Sequence, residues 1–538
     1  MEQAPLAALE LNILDILTIS IYFIVVFAVA WWSYRRERSD KESNDYFLAG
    51  RNVGWFVVGA SLFASNIGSE HLIGLAGSGF AEGVPVAQYE ILAGIALLML
   101  GWLFVPFYLK SEVATMPEFL EKRYDSKSRM YLSAISVIGY ILTKISVTIY
   151  AGGIVFEAIG MDFWVGALIL VVATGLYTVF GGLRAVVYTD MIQMFVLLGG
   201  SLAVTFFGLR ALGGWNELTA IVDPEFFSLW RPPDHTDYPW TGILFGAPIL
   251  GIWYWCTDQF IVQRVLSAKD ETNARKGSIF AGYLKMLPLF LFVLPGIVAY
   301  AMVQQGMLEI SEPNETLPIL VKAVLPPGLR GLVVAGLFAA LMSSLSSVFN
   351  SSSTLITLDF YKKFKPNASE RQLVVVGQIS TVILVVLGVL WIPFMGYFSN
   401  QLFLYLQSIQ AYIAPPITAV FLIGLFYKRL NSTGSIVSLI TGFLLGLLRF
   451  GLELSKDSLS GIWYELATIN FLHFALLLFV ICTVILIIVS LLTEKPDEEK
   501  IKDVIYHRTV EDTTVTERSI WSTAFLFGII LFLWYYFS

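Results

Sequence analysis

Asn66, Glu70 and His71 stand within SNIGSEHLIGLAGSG (Ser65–Gly79), flanked by apolar stretches on both sides. Ionisable groups at membrane depth are expensive and are therefore treated as functional unless shown otherwise. The same stretch carries Gly68, Gly74, Gly77 and Gly79. Glycine lets a helix unwind cheaply, and an unwound helix frees carbonyls and amides that lipid cannot satisfy. Carbonyls around Ala64–Ile67 could then hold a bare cation. The amide end of the following half-helix, with Asn66, Glu70 and His71, could hold a polar solute. The plain alternative, a glycine face for close helix packing, accounts for Gly74, Gly77 and Gly79 but not for the three polar residues.

A second polar cluster is AALMSSLSSVFNSSST, Ala339–Thr354. Ser343, Ser346, Ser347 and Asn350 recur at helical spacing and so share a face. Isolated serines often bond back to their own helix, but nine polar residues in one span exceed that explanation. Neutral hydroxyls and carbonyls suit a weakly held monovalent ion, sodium rather than calcium. Single polar groups complete the set: Glu90, Asp190, Lys285 and Gln407, with the aromatic run Trp253-Tyr254-Trp255. Glu90 and Lys285 can form an ion pair joining two spans. Asp190 lies near an inner membrane end, where it can simply meet water. Gln407 precedes Pro415-Pro416 and can satisfy a kink. Together these groups offer amide, carboxylate, ammonium and aromatic faces. A sugar, with donor–acceptor hydroxyls over an apolar ring face, asks for that combination.

The elements that must position these groups are helices in a bilayer. The chain has 538 residues, of which 57% are hydrophobic and only 14% charged. A soluble chain would hold nearer a quarter charged residues. Apolar runs long enough to cross a core of about 30 Å recur throughout, which predicts an all-α polytopic membrane protein. We expect about fourteen spans, near 11–33, 53–80, 87–109, 128–158, 161–180, 185–211, 241–266, 276–304, 329–361, 370–394, 398–427, 433–454, 469–493 and 519–537. With the N-terminus outside, only six of the 34 Lys and Arg lie on outer loops and flanks: Arg210, Arg231, Lys322, Arg330, Arg449 and Lys456. That bias supports the topology and places both termini outside. The net charge of −7 gives no sign of a nucleic-acid partner. The two cysteines, Cys256 and Cys482, both fall in apolar runs and encode no disulfide framework. No segment is large enough for a soluble catalytic domain, and no P-loop is visible, so we expect a transporter and not an enzyme.

The stretch TGILFGAPILGIWYWCTDQFIVQR repeats the interrupted pattern, with Gly246, Pro248 and Gly251 before Thr257-Asp258-Gln259. Paired broken helices in two halves of a chain point to inverted repeats with the site between them. We expect repeats over 53–211 and 241–427, joined by an extracellular loop 212–240. Residues 1–52 then form an outer N-terminus, an extra helix and a loop, and 428–538 form three peripheral helices with a cytoplasmic loop 494–518.

FLAGRNVGWFVVGASLFASNIGSEHLIGLAG, GWLFVPFYLKSEVATMPEFLEKRY, VFGGLRAVVYTD, WYWCTDQFIVQR, GYLKMLPLFLFVLPG, GLFAALMSSLSSVFNSSSTL and LQSIQAYIAPPITAVFLIGLF together resemble the sodium/glucose cotransporter family, within the wider solute:sodium symporters. The resemblance covers essentially the whole chain and is closest to the sugar-transporting branch. It implies a LeuT-like five-plus-five core and sodium as co-substrate, with no organic cofactor. It assigns sodium to the carbonyls of Ala64, Ile67 and Ala340 and the hydroxyls of Ser343 and Ser344. It assigns sugar to Asn66, His71, Glu90, Tyr254, Trp255, Lys285 and Gln407. A second sodium would use Asp190, Ser346 and Ser347. Ala93 and Gly251 depart from patterns associated with glucose or galactose binding, which leaves inositol or another polyol open. An amino acid or carboxylate symporter, a passive channel and a membrane sensor are the remaining alternatives.

Overall fold

The computed structural model describes residues 11–36, 43–158, 160–395, 402–506 and 515–538. The first ten residues and part of the loop 494–518 lie outside these, as do 37–42 and the connection 396–401. Among the described residues, eleven helices are long and apolar enough to cross a membrane. Two further stretches are interrupted. The first is Trp55–Asn66 followed by Ser69–Glu82, and the second runs from Trp240–Phe245 through Trp253–Thr257 to Gln259–Leu266.

One helix, Phe163–Leu212, is 50 residues long. A straight rod of that length would run about 75 Å, far more than one crossing needs. It is kinked at Gly182, whose φ of 52° is open to glycine at little cost. A Cβ there would meet the Tyr46 carbonyl oxygen at 2.5 Å, so the kink is also a close approach of two backbones.

The layers follow from side-chain chemistry. The serine-rich helix Leu329–Thr354 is buried without a gap from Val333 to Thr354. It is the centre of the molecule, and it tolerates so many hydroxyls because none of them faces lipid. The helices around it present large apolar side chains outward at helical spacing, as with Leu168, Val172, Leu176 and Phe180, or Val375, Ile379, Val382 and Val386. Basic side chains close helix ends. Arg123 is buried and donates to the carbonyls of Gly424, Tyr427 and Leu430. This satisfies one carbonyl in the last turn of helix Leu402–Phe426 and two in the turn that follows it. That helix continues through Pro415 and Pro416.

The half-helix Ser69–Glu82 packs backbone to backbone on helix Leu294–Gln304. A Cβ on Gly296 would run into the Ala76 carbonyl oxygen, and one on Gly79 into the Val293 carbonyl oxygen. Neither obstacle is a side chain that can rotate away. Gly296→Ala should therefore destabilise the fold by about 1–3 kcal/mol, read as a lowered thermal unfolding midpoint in detergent. An unchanged midpoint would mean that this contact is looser than the structure has it.

Candidate functional site: a polar cavity between two interrupted spans

The first interruption falls at Ile67 (φ −77°, ψ 96°) and Gly68 (φ −98°, ψ −174°), both extended. The carbonyls ending helix Trp55–Asn66 thus lose their intrahelical partners, as do the amides opening Ser69–Glu82. Ser344 supplies one substitute: its hydroxyl donates to the Ser65 carbonyl at 3.3 Å. His71 supplies another, because its Nδ1 accepts from the Gly68 N–H at 3.3 Å. That bond leaves Nε2 as the protonated nitrogen of a neutral ring, and Nε2 lies 3.6 Å from Glu90 Oε1. The side chain of Glu70 is outside the described ones.

The second interruption is at Asp258, extended at φ −77° and ψ 127°. Its carboxylate accepts from the Phe260 N–H at 3.2 Å and from the Tyr140 hydroxyl, and it pairs with Lys144 at 3.3 Å. The π-helical turn Trp253–Thr257 precedes the break, and another π-helical turn, Ile141–Ile145, carries Lys144 opposite it. Such turns widen a helix locally and recur at functional sites.

Between the two breaks lies a cavity of about 960 Å³, counting the solvent at its mouth. All seven side chains assigned to sugar line it: Asn66, His71, Glu90, Tyr254, Trp255, Lys285 and Gln407. Lys285 bridges Glu90 and Asn66, and Asn66 donates to the Tyr254 hydroxyl at 3.1 Å. The expected Glu90–Lys285 pair is therefore present and joined to the first break. Gln407 faces the cavity. Lys144, Thr148, Phe260 and Gln410 also line it, and sequence reasoning did not assign them to it. Their only sequence signal was polarity inside predicted spans, and for Phe260 there was none.

Of the residues assigned to sodium, Ala64, Ile67, Ala340 and Ser343 are fully buried, while Ser344 reaches the cavity wall. Ser343 donates to Asp190 at 2.6 Å. Asp190 does not meet water, the plain alternative that its place near an inner membrane end allowed. It is fully buried and accepts from Ser61 (2.6 Å), Ser65 (2.9 Å) and Ser343, with the Arg264 guanidinium 3.9 Å away. A buried carboxylate needs such partners to remain charged. Ser347 donates to Ser65 at 3.1 Å and receives Arg264. Ser346 donates to the Ser343 carbonyl of its own helix at 3.1 Å.

The sodium:solute symporter family matches residues 46–442. The chain belongs to that family. Across 92% of its length it is 41% identical to mouse sodium/glucose cotransporter 4, covering 78% of that protein. Pig sodium/glucose cotransporter 1 is 40% identical over 90% of the chain and 79% of the relative. Rabbit sodium/myo-inositol cotransporter 2 is also 40% identical, over 90% and 78%. Among solved structures, a Na+-coupled sialic acid symporter in a substrate-bound outward-open state superposes with a TM-score of 0.79 at 22% identity, covering 90% of this chain and 99% of that one. The expected family and the LeuT-like helical fold are both borne out.

Beyond the span, at the Glu82 end of the first interrupted stretch, Arg231 donates to the Glu82 carbonyl at 2.7 Å and to Glu225 at 2.6 Å. Glu82 itself lies 3.8 Å from His235 Nε2. Burial, and after it the neighbouring Asp237, push the Glu82 carboxyl from 4.5 up to about 7. The folded state thus holds this proton more tightly than the unfolded chain. Its stabilising contribution is complete below about 4.5 and is lost as pH rises through about 7. Hydrogen exchange in 77–82, corrected for its intrinsic pH dependence, should be slower at acid pH than at alkaline pH in the wild type. Glu82→Gln should remove the difference, and a difference that persists would assign it to another group. Within the cavity, Lys285→Met strands the Glu90 carboxylate and should cost about 3–5 kcal/mol. Adding Glu90→Gln should recover most of that in the same unfolding measurement.

Proposed function

We propose that the protein imports a neutral sugar, a glucose- or galactose-like hexose, by sodium-coupled symport with alternating access. One observation carries the reading: the Ser344 hydroxyl bonds the Ser65 carbonyl at 3.3 Å, on the wall of the cavity that holds all seven sugar-directed side chains. The carbonyls of Ala64, Ile67 and Ala340 with the hydroxyls of Ser343 and Ser344 would hold the ion. An ion there ties the first break to the serine-rich helix. It also fixes Asn66, one residue along, against Tyr254 and Lys285. Such coupling is reciprocal: sugar must raise sodium affinity by the same factor.

The charges favour a neutral solute over an amino acid or another carboxylate. Lys285 is engaged by Glu90 and Asn66, and Lys144 by Asp258, so each lysine of the cavity already has a counter-ion. The relatives named for glucose and for myo-inositol support a polyhydroxy solute, with inositol as the second reading. A second sodium at Asp190, Ser346 and Ser347 has less support. Arg264 already stands beside Asp190, and Ser346 bonds within its own helix. The polar groups gather between the breaks instead of running as a stripe through the molecule, which argues for a carrier over a passive channel. Fourteen crossings result when each interrupted stretch counts as one and Phe163–Leu212 counts as two. The repeats 53–211 and 241–427 place one break in each half, and the basic loops put both termini outside a cell membrane.

One charge crossing 100 mV contributes about 2.3 kcal/mol, and a tenfold sodium gradient adds about 1.4 kcal/mol. A single ion can therefore sustain roughly 500-fold accumulation. Purified protein in liposomes should accumulate labelled glucose, galactose or myo-inositol only with an inward sodium gradient. Equal uptake in potassium rules sodium coupling out, and uptake of proline or sialic acid instead of the polyols rules the sugar out. Gln407→Ala should abolish uptake, and Ser344→Ala should raise the sodium concentration for half-maximal uptake.

A further inference from the structure

The bonds that any opening of the cavity must break are those joining the interrupted spans to their neighbours. On the inner half of the second span, Gln263 donates to Thr354 (2.9 Å) and to the Phe47 carbonyl (2.7 Å). Arg264 reaches Ser65 (2.8 Å) and Ser347. Both side chains are fully buried and away from the cavity wall. Lys144 is different. It lines the cavity, keeps 16% of its side chain exposed, and stands 3.3 Å from a nearly buried Asp258. Its ammonium also lies 3.6 Å from the Phe260 ring centroid and 4.3 Å from that of Tyr254, within cation–π range.

These contacts straddle the break. Tyr254 is on the outer side of Asp258, Phe260 opens the half-helix Gln259–Leu266, and Asp258 is the hinge itself. Tyr140, one turn before Lys144, receives the Phe260 N–H at 3.2 Å while donating to Asp258. One helix, Ser126–Tyr140 with its π-helical turn, thus grips both sides of the hinge through two residues. A point charge on a flexible stem suits a contact that must let go, since it can exchange aromatic and carboxylate partners for water or a hydroxyl without leaving a rigid fork unpaired.

We propose that Lys144 is a positioning residue that latches the inner half of the second interrupted span, Gln259–Leu266, to the neighbouring span, and that releasing it from Asp258 frees the inner route from the cavity. The latch rests on the reading of the cavity as a sodium-coupled carrier. Its first test, on the full-length protein, is a measurement that needs neither sodium nor sugar. Lys144→Met keeps the apolar stem and removes the charge. Hydrogen exchange of Gln259–Leu266 should then speed up by about tenfold, while Leu329–Thr354 exchanges as in the wild type. Lys144→Arg should restore most of the protection. In liposomes without solute, Lys144→Met should leak labelled sodium faster than the wild type. Unchanged exchange at 259–266 overturns the latch. So does acceleration spread across the serine-rich helix, which would make Lys144 a general packing residue, and so does sodium leak no greater than in the wild type. Failure of the wild type to accumulate any polyol with sodium would sink the carrier reading while leaving the exchange result to stand by itself.

Discussion

An unpaired backbone group in a water-free interior costs several kcal/mol, and the two breaks at Ile67–Gly68 and Asp258 expose such groups at the centre of the molecule. Much of the polar chemistry of this chain follows from that. Ser344 covers the Ser65 carbonyl, His71 the Gly68 amide, and Asp258 with Tyr140 the Phe260 amide. Each is a side chain standing in for water, and each can give way to a ligand offering a comparable bond. A helix without breaks would satisfy itself and have nothing to offer an ion or a hydroxyl.

Charge neutrality is kept locally by the same means. Asp190 with Arg264, Glu90 with Lys285, and Asp258 with Lys144 form three buried or nearly buried pairs, each supplemented by hydroxyl or amide bonds. Such pairs add little net stability over apolar packing, but losing one partner is costly. They therefore fix geometry more than they add stability. Asn66 is the link between them and the first break, since it touches both Lys285 and the Tyr254 hydroxyl.

The breaks and the polar groups Asn66, His71, Glu90, Lys285 and Gln407 were legible because glycine, proline and polar side chains are conspicuous in apolar sequence. Their assignment to one solute site came from the family resemblance. Glu90 and Lys285 could be paired because opposite charges within two spans most simply form an ion pair. Asp190 was not legible in this way. Its position along the chain put it near a membrane end, but Ser61, Ser65, Ser343 and Arg264 arrive from three other elements and bury it. Arg264 reads as one more basic residue at an inner flank, yet it is fully buried. Lys144 was visible only as a lysine within a span. Its partner is 114 positions away, and the π-helical turns that aim the two at each other leave no compositional trace. Gln407 allowed two readings, and the helix continuing through Pro415 and Pro416 with Gln407 on the cavity wall favours the one in which it meets solute.

On the proposed reading, adjacent residues would serve different ligands, and coupling would follow from that arrangement. Ser65 gives its carbonyl to Ser344 and its hydroxyl to Asp190, while Asn66 turns its amide toward Lys285 and Tyr254. With ψ set at the break, a shift of one carbonyl reorients the next side chain, so an ion held as proposed, drawing this stretch toward the serine-rich helix, would also set the Asn66 amide. The shift need not be large, because packed interiors switch between discrete arrangements instead of deforming continuously. Differential affinity for two such arrangements is all that an ion or a solute needs in order to move the equilibrium between them. A chain that kept every ligand group but healed the Ile67–Gly68 break would lose this lever, since its carbonyls would be committed to their own helix.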